Sequence, residues 1–521
     1  MDTSQESQGG SRQVSELFPG VRLTSVPTIK NAPLPAEGNG SFSNVQLALL
    51  LLLVPYAVKS LLPLVSRGGF YTYWFLFLLL GIPVTITYWT IMSHYGSRKN
   101  TKVTLPGKPA SDYYTIKDAD LKHQYGYTAD RIPMQIFHDA YFEGKIDIKG
   151  DVLEALESRF DWASFGFTVE LFKYVFFNFI PDVIFHTQAQ DEEQIRDNYD
   201  RGNDFYEWFL GPRMIYTSGV VSDITREETL EELQDNKLKL VCDKLDLKPG
   251  DRLLDIGCGW GTLTAFAAKN YGVDATGITL AREQASFGND RIQANGLSQD
   301  QARILCLDYR DIPKGKGRFN KIVSLEMAEH VGIRRYNAFL QEVYDLLDDN
   351  GTFVFQVAGL RPHWQYHDLV WGLFMNKYIF PGADASCALN WVIGRLEKAG
   401  FEVKSVDVLG VHYSATIWRW YKNWLANEDK VVEKYGRRMF RLWTFFLGWS
   451  TIVARYDIYP FHVLPLQEDH LDLRLQLFSE GGSSVFQITL HKNLNAYPRI
   501  EGVPSHTSIH GAPKREVIPI V

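Results

Sequence analysis

The sequence predicts a doubly wound α/β domain that follows a helical membrane hairpin. Short apolar strands alternate with amphipathic helices from Lys248 onward, and two long apolar runs lie near the amino terminus. The first of these strands ends in a glycine-rich turn that opens a helix. The 521 residues suffice for one catalytic domain of roughly two to three hundred residues together with additional segments.

The overall composition excludes several classes of protein. The chain has 54 Lys and Arg against 61 Asp and Glu, a net charge of −7, with 45% hydrophobic and 22% charged residues. These values exclude a wholly disordered or collagen-like chain. No basic cluster is present, which argues against nucleic acid as the main partner, because phosphate binding requires clustered Lys and Arg. The four cysteines lack CxxC spacing, so we expect reduced thiols and no metal site.

Residues 44–93 predict a transmembrane hairpin behind a disordered lead, 1–43, which is rich in Ser, Gly, Pro and Asn. The runs 45–65 and 70–93 each approach the roughly 20 apolar residues that cross a bilayer. The second run is uncharged and has Tyr and Trp at both ends, as interfacial anchors require. The first contains Lys59 and two prolines, so it fits either a kinked span or a re-entrant segment. Two buried helices of a soluble core are the less favoured alternative.

Positive residues around the hairpin predict its orientation. Lysine and arginine residues follow the second run, whereas the connector 66–69 offers only Arg67. The positive-inside rule therefore places both termini in the cytosol. We expect an integral membrane protein whose catalytic domain faces the cytosol.

A helical membrane-proximal region is predicted over 94–194, without a catalytic pattern. Its segment 167–185 is rich in aromatic residues. A helix in the membrane interface and an ordinary buried helix that ends before Pro181 fit this segment equally well.

The catalytic domain is predicted over 195–494, followed by a loose polar tail over 495–521. Its apolar strands alternate with helices, as in a doubly wound sheet. The predicted strands are 252–258, 274–280, 302–308, 320–326, 351–358 and a closing strand 483–492 after a turn at Gly481 and Gly482. The predicted helices are 262–272, 283–295 and 333–348.

The strongest local motif is LDIGCGWG at the end of the first strand. Glycine lets the backbone turn sharply and lets a ligand approach closely. The spacing is GxGxG rather than GxGxxG, and Asp255 would repel a diphosphate, so a dinucleotide fits poorly. A ligand with an amino-acid end and no phosphate fits better, and S-adenosylmethionine has such an end. We assign its binding to Leu254, Asp255, Gly257, Cys258, Gly259, Trp260 and Gly261.

The ends of the second and third strands complete the predicted cofactor site. Thr279, Leu280 and Gln284 follow the second strand, where nucleotide sites commonly bind the ribose, and the Thr and Gln can hydrogen-bond it or the adenine. After the third strand, Asp308 can accept from the adenine amino group and Tyr309 can stack on the ring. The alternative for each is a solvated loop residue, which is favoured for the neighbouring Arg310 and Asp311.

Four motifs together resemble the cyclopropane fatty-acid synthase and mycolic acid methyltransferase family. They are LDIGCGWG at 254–261, TGITLAREQ at 276–284, LDYRD at 307–311 and SLEMAEHVG at 324–332. The resemblance begins at 198–220, includes HYSATIW at 412–418 and covers about 195–490. It implies transfer of a methyl group from S-adenosylmethionine to an alkene carbon of a lipid chain.

The same resemblance implies particular site residues. Glu329 matches an active-site glutamate, although a carboxylate at a helix N-terminus is favoured by the helix dipole alone. His330 fits a catalytic and a structural role equally well. Tyr413 matches the active-site tyrosine, and Tyr216 and Thr217 match the pair that contacts the cofactor.

Bacterial members hold a bicarbonate ion as the base, and its ligand positions are only partly kept here. Glu329 and Tyr413 remain, whereas Ser218, Gln356 and Ala358 occupy the other positions. No imidazole is left to balance the charge of an anion, so bicarbonate as a cofactor stays open. The alternative base is Glu329, acting directly or through water.

A membrane hairpin fused to this catalytic domain resembles the fungal sphingolipid C9-methyltransferases. This resemblance implies methylation of C9 in the 4,8-sphingadienine base of ceramide, which gives the 9-methyl base of glucosylceramide. The expected partners are therefore a ceramide and a membrane, and the sequence does not specify an oligomeric state. Two alternatives are a cyclopropane-forming lipid synthase and an inactive methyltransferase-like membrane scaffold.

Overall fold

The computed structural model describes residues 43–95, 107–126, 131–166, 168–179, 201–313, 315, 318–360, 366–381, 383, 387–455, 483–494 and 518–520. Three expectations fall on other residues. They are the disordered lead 1–43 apart from Ser43, the turn at Gly481 and Gly482, and most of the tail 495–521.

The amino-terminal helices pack on each other as an antiparallel pair. They are α1, Asn44–Leu61, a short connecting α2, Pro63–Ser66, and α3, Phe70–Tyr95. The Tyr88 hydroxyl donates to Gln46 Oε1 at 2.9 Å, and the Tyr73 hydroxyl donates to the Leu52 carbonyl at 3.1 Å. Two hydrogen bonds between the helices therefore help to fix their pairing.

Only one helix among the described residues is long and apolar enough to cross a membrane. It is the part of α3 over Phe70–Tyr88, whereas the apolar part of α1, Val45–Leu61, is shorter. The predicted helical pair is present, and one of its two helices meets the length and composition of a span.

The membrane-proximal region contains four short strands in addition to its helices. Its elements are β1, Tyr114–Ile116, α4, Ala119–Tyr125, β2, Ile132–Pro133, α5, Met134–Phe142, β3, Ile146–Ile148, α6, Val152–Glu157, α7, Arg159–Trp162, β4, Ala163–Ser164, α8, Val169–Tyr174, and a π-helical turn, Val175–Phe179. Strand β1 pairs antiparallel with β3, and β2 pairs parallel with β4. Strands of two or three residues are too short for a periodic pattern to reveal.

A seven-stranded sheet forms the centre of the catalytic domain. Its strands are β5, Arg252–Ile256, β6, Asp274–Thr279, β7, Ala302–Cys306, β8, Phe319–Leu325, β9, Leu347–Leu360, β10, Phe401–Val408, and β11, Ser483–Lys492. The order is β10-β11-β9-β8-β5-β6-β7. Strands β5 to β9 are parallel, and β11 is antiparallel to both of its neighbours.

The sheet confirms the predicted α/β class and the predicted strand over 483–492. This strand, β11, lies between β9 and β10, and β10 was not among the predicted strands. The chain runs outward from β5 through β6 to β7 and then returns to the other side of β5 with β8. This reversal opens a crevice at the carboxyl ends of β5 and β8, where doubly wound sheets bind their ligands.

Nine helices of the described part belong to this domain. They are α9, Asn203–Leu210, α10, Leu230–Lys244, α11, Thr262–Tyr271, α12, Arg282–Ala294, α13, Tyr336–Leu346, α14, Tyr366–Tyr378, α15, Leu389–Lys398, α16, Gly410–Ala426, and α17, Glu428–Arg455. Helix α17 bends at Gly436, whose φ of 84° is not helical.

An aromatic core joins the membrane-proximal region to the last helices. The Phe137 ring on α5 lies 4.2 Å from Trp162 and 6.5 Å from Phe445 on α17, measured between ring centroids. Phe445 also lies 5.9 Å from Phe374 on α14, and all four rings are buried. The region before the catalytic domain therefore shares one hydrophobic core with it.

Candidate active site

A cavity lies at the carboxyl ends of β5, β6, β7 and β8. It contains about 1180 Å³ of space between protein atoms, including the open space at its mouth. The residues predicted from separate motifs that line it are Tyr216, Thr217, Asp255, Gly257, Cys258, Gly259, Trp260, Thr279, Leu280, Gln284, Asp308, Tyr309 and His330. The fold thus brings most of the predicted cofactor site together in one place.

Four predicted residues do not line this cavity: Leu254, Gly261, Glu329 and Tyr413. The prediction for Leu254 is corrected, because its side chain is buried in the apolar core. Successive side chains of a strand point to opposite faces, so Leu254 and Asp255 cannot both face the ligand. Gly261 lies at the start of α11, where an added Cβ would come within 2.9 Å of Ile304 Cδ1. Its part is close packing of the turn against β7.

The glycine-rich turn presents backbone to open space. The N–H groups of Gly257 and Cys258 both donate to the Ile278 carbonyl at 3.0 Å, which fastens the turn to β6. Gly259 has a φ of 54°, and a Cβ built on it would meet no atom within 4 Å. A left-handed residue with nothing in front of it suits a ligand that approaches the main chain.

A buried lysine lies between the carboxyl groups of the site. Lys237 on α10 donates to Thr217 Oγ1 at 2.7 Å, and the Thr264 hydroxyl donates to Asp255 Oδ2 at 3.1 Å. Burial lowers the pKa of Lys237 to about 8, against the opposing effect of the Glu326 and Asp255 charges. Burial raises the pKa of Asp255 to about 7. A ligand bound in the cavity can therefore change the protonation states of Lys237 and Asp255.

Sequence reasoning missed Lys237, although a signal existed. The residue lies four positions after Leu233 and four before Val241, on the buried stripe of α10. A charged residue in a buried stripe is unusual unless it is paired. Its partners come from distant segments, which the helical pattern does not reveal.

The predicted nucleotide-binding side chains are already engaged with neighbours. The Thr279 hydroxyl donates to Gln284 Oε1 at 2.7 Å, which leaves the Gln284 amide nitrogen as a donor toward a ligand. Asp308 Oδ1 accepts from the backbone N–H and the Nε of Arg310, both at 2.8 Å. Arg310, predicted to be a solvated loop residue, lines the cavity, so that prediction is wrong.

Glu326 is the second residue that sequence reasoning missed, although it lies within a recognised motif. It follows β8 directly and has a φ of 54°, a left-handed conformation that favours glycine. Its Oε1 accepts from the Ser218 N–H at 3.0 Å and from Gln356 Nε2 at 2.6 Å. The Tyr413 hydroxyl also donates to this carboxyl group. A strained, well-held carboxylate at the cavity wall is typical of a functional position.

Glu329 lies beside Glu326 on the 3₁₀ turn Ala328–His330, and only 7% of it is exposed. Its Oε1 accepts from the Ala358 N–H at 2.5 Å, and its buried Oε2 has no hydrogen-bond partner among the described residues. Burial and then the Glu326 charge raise the pKa of Glu329 to about 8. Glu329 is therefore mainly a neutral acid at pH 7.

Further aromatic rings lie behind two residues of the cavity wall, Tyr216 and His330. The Tyr216 ring lies 5.3 Å from Trp420 and 6.0 Å from Phe380, and the His330 ring lies 6.1 Å from Phe380. Burial lowers the pKa of His330 to about 4, so this imidazole is neutral at pH 7. Aromatic faces and a carboxylate can stabilise a positive charge on a substrate.

The fold and the site together define a class I S-adenosylmethionine-dependent methyltransferase. The family model for mycolic acid cyclopropane synthetase matches residues 186–459. A solved cyclopropane synthase from Mycobacterium tuberculosis superposes with a TM-score of 0.50 at 23% identity, covering 58% of this chain and 98% of that one. This likeness extends to the fold of the catalytic domain.

Relatives of nearly the same length refine the assignment. Sphingolipid C9-methyltransferase 2 of Gibberella zeae is 51% identical over 95% of this chain and 89% of its own length. The sphingolipid C9-methyltransferase of Komagataella phaffii is 50% identical over 96% of this chain and 98% of its own. The chain therefore belongs to the mycolic acid cyclopropane synthetase family, in the branch of the sphingolipid C9-methyltransferases. The resemblance inferred from the sequence is confirmed, and so is S-adenosylmethionine as the cofactor.

The raised pKa of Glu329 predicts that the free energy of unfolding falls as pH rises. Between the ordinary value of 4.5 and the folded value of about 8, the folded state keeps a proton that the unfolded state has lost. The free energy of unfolding therefore falls as pH rises from about 5 to about 8. Glu329→Gln cannot ionise, so the apparent melting temperature of the full chain should fall less over this range than that of the wild type.

The control is Glu397→Gln, at an exposed carboxylate on α15, which should keep the wild-type pH dependence. Asp255 contributes a fall of the same sign in all three proteins, because its pKa is raised to about 7. Equal slopes for wild type and Glu329→Gln would show that Glu329 is not protonated in the folded state.

Proposed function

We propose that the chain transfers the methyl group of S-adenosylmethionine to C9 of the 4,8-sphingadienine base of a ceramide. The product is the 9-methyl sphingadienine used for glucosylceramide. The observation that carries this proposal is the identity of about half of all residues with sphingolipid C9-methyltransferases along almost the whole chain. The site is compatible with it, because the carboxyl groups of Glu326 and Glu329 lie beside the cavity, and burial raises the pKa of both.

The cavity suits S-adenosylmethionine by its chemistry. The turn at Gly257 and Gly259 would hold the amino-acid end with Asp255, and Gln284 and Asp308 would hold the adenosine. Open space in front of Gly259 supports this placement. When bound, S-adenosylmethionine supplies an electrophilic methyl group.

The protein must then stabilise and deprotonate a methylated lipid. An alkene that gains a methyl group at C9 carries a positive charge at C8 until the C9 proton leaves. The aromatic rings of Tyr216 and Phe380 can lower the energy of this charge, and neutral His330 does not oppose it. A buried site excludes the water that would otherwise react with the lipid cation at C8. In this proposal Tyr413 holds the Glu326 carboxylate, and Glu329 is its neutral neighbour.

The chemical structure of the product distinguishes this function from that of a cyclopropane synthase. Cyclopropane synthesis is the second candidate because the family model and the solved neighbour carry that name. Cells with and without the full chain would be fed methyl-labelled methionine, and their sphingoid bases and fatty acids analysed by mass spectrometry. We expect one labelled methyl group on a sphingadienine whose double bond is retained.

Asp255→Asn keeps the shape of the side chain and removes its charge, so it should bind the cofactor weakly and give little labelled lipid. Label in a cyclopropane ring or on an ordinary acyl chain would overturn the proposed reaction or substrate. Absence of label from every lipid would favour the inactive scaffold.

We also propose that the hairpin of α1 and α3 lies in the membrane of the endoplasmic reticulum and holds the catalytic domain at its cytosolic face. Large apolar side chains of the hairpin are exposed: Leu78 by 73%, Phe75 by 63% and Leu53 by 58%. Such a contiguous apolar surface is costly in water and suits lipid. The groove between the hairpin and α8 is also apolar, lined by Leu51, Phe77, Phe172 and Phe176 among others. Membrane contact would therefore continue onto the membrane-proximal region.

Charges on the hairpin test this membrane proposal. Each arginine at the centre of a span costs about 3 kcal/mol, so Leu78→Arg with Leu79→Arg should reduce the fraction of full-length chain retained in carbonate-washed membranes. Ile224→Arg, at an exposed position outside the hairpin, is the control and should be retained like the wild type. Complete release of the wild type by carbonate would contradict an integral hairpin.

A further inference from the structure

The Glu326 carboxylate is held in an anion cradle built from three separate elements. Its donors are the Ser218 N–H at 3.0 Å, Gln356 Nε2 on β9 at 2.6 Å and the Tyr413 hydroxyl on α16. The Glu326 N–H in turn donates to the Gln356 carbonyl at 2.8 Å. Burial raises the pKa of Glu326, and the three donors oppose this rise by favouring the ionised form of the carboxyl group.

A chain of buried side chains fixes the direction of the Gln356 amide. Lys244 donates to Gln487 Oε1 at 2.5 Å, and Gln487 Nε2 donates to Gln356 Oε1 at 2.8 Å. An ammonium group can only donate, so each amide along the chain must point its nitrogen toward Glu326. Lys244 is itself paired with Asp407 on β10. The strand register sets Gln487 opposite Gln356 on the neighbouring strand, which makes the chain continuous.

The same donors coincide with the positions at which the family resemblance expects bicarbonate ligands. Ser218, Gln356 and Tyr413 all contact Glu326, and the Ala358 N–H, the fourth such position, is used by Glu329. In this chain the anion cradle is therefore filled by a side chain of the protein. Glu326 lines the cofactor cavity, so this carboxylate is next to the expected methyl donor.

We propose that Glu326 is the built-in base of the reaction, taking the place of a bicarbonate ion, and that Gln356, Gln487 and Lys244 are its positioning residues. This inference rests on the proposed function. The π electrons of the lipid form the new carbon–carbon bond to C9 as the carbon–sulfur bond of the methyl donor breaks. The C9–H pair then restores the C8=C9 double bond, and the proton passes to the Glu326 carboxylate. Glu329 remains protonated and does not compete for it.

The left-handed conformation of Glu326 provides a sharp test. Glycine adopts a φ of 54° without strain, so Glu326→Gly should fold, and it leaves the donors of Ser218, Gln356 and Tyr413 unoccupied. Turnover of the full-length variant in detergent or vesicles should fall by about 100-fold or more, the usual contribution of a general base. Added formate or bicarbonate should restore at least about a tenth of wild-type turnover, because a small anion fits the vacated cradle.

Two further variants control this experiment. Glu326→Gln fills the cradle with a neutral group, so it should lose turnover and gain nothing from formate or bicarbonate. Glu397→Gln changes an exposed carboxylate and should behave as the wild type with and without anion. Binding of S-adenosylhomocysteine by calorimetry should be unchanged in all three variants, which separates loss of the base from loss of folding.

The outcomes distinguish failure of this inference from failure of the proposed function. Near-normal turnover of Glu326→Gly without anion, or loss of turnover that neither anion restores while S-adenosylhomocysteine still binds, would overturn the assignment of the base. A wild-type enzyme that makes a cyclopropane or no methylated sphingadienine would instead overturn the function on which it rests.

Gln487→Leu tests the positioning chain. Without Gln487, the Gln356 amide is free to turn its oxygen toward Glu326, which weakens the donor and raises the pKa of the base. The acidic limb of the kcat profile should therefore move to higher pH, with little change in KM, whereas a merely structural role would leave the limb in place. The other titrating groups around Glu326 are Lys237, Glu329 and Tyr413, and they are unchanged in this variant.

Discussion

The hydrogen bond from Gln356 to Glu326 connects the architecture of the sheet to the chemistry of the site. It depends on β11 lying between β9 and β10, because only this insertion places Gln487 beside Gln356 and brings Lys244 within reach of Gln487. A buried polar chain of this kind is favourable only when every member is satisfied. The strand order and the position of the carboxylate are therefore parts of one arrangement.

Two opposing demands meet at this site. A lipid cation requires a dry, apolar surrounding, whereas proton removal requires a charged group, which a dry surrounding disfavours. The aromatic wall around Tyr216 meets the first demand, and the three donors on Glu326 meet the second. The protonated state of Glu329 and the neutral state of His330 limit the number of buried charges. The apolar hairpin and the groove beside α8 extend the same lipid-compatible character away from the catalytic domain.

Local sequence patterns predicted the elements of the fold that depend on residues close together in the chain. Six strands, the glycine-rich turn and the cofactor-binding residues follow from alternation, spacing and loop chemistry. Of the predicted cofactor-binding residues, all but Leu254 and Gly261 line the cavity. Strand β10 and the insertion of β11 between β9 and β10 were not predicted, because the order of strands in a sheet depends on contacts between distant segments. Lys237 and Glu326 were missed for the same reason, since their functional surroundings are assembled from α10, β9 and α16. The mixed strands before the catalytic domain are too short to carry a periodic signal.

In the proposed mechanism the base belongs to the protein itself. The most direct measurement is turnover of the unaltered full-length enzyme in buffer freed of carbon dioxide and bicarbonate, compared with the same buffer after bicarbonate is added. An internal Glu326 carboxylate predicts equal turnover in both conditions. Turnover that falls on removal of bicarbonate and returns on its addition would contradict the account, because it would show that the wild-type reaction requires an external anion.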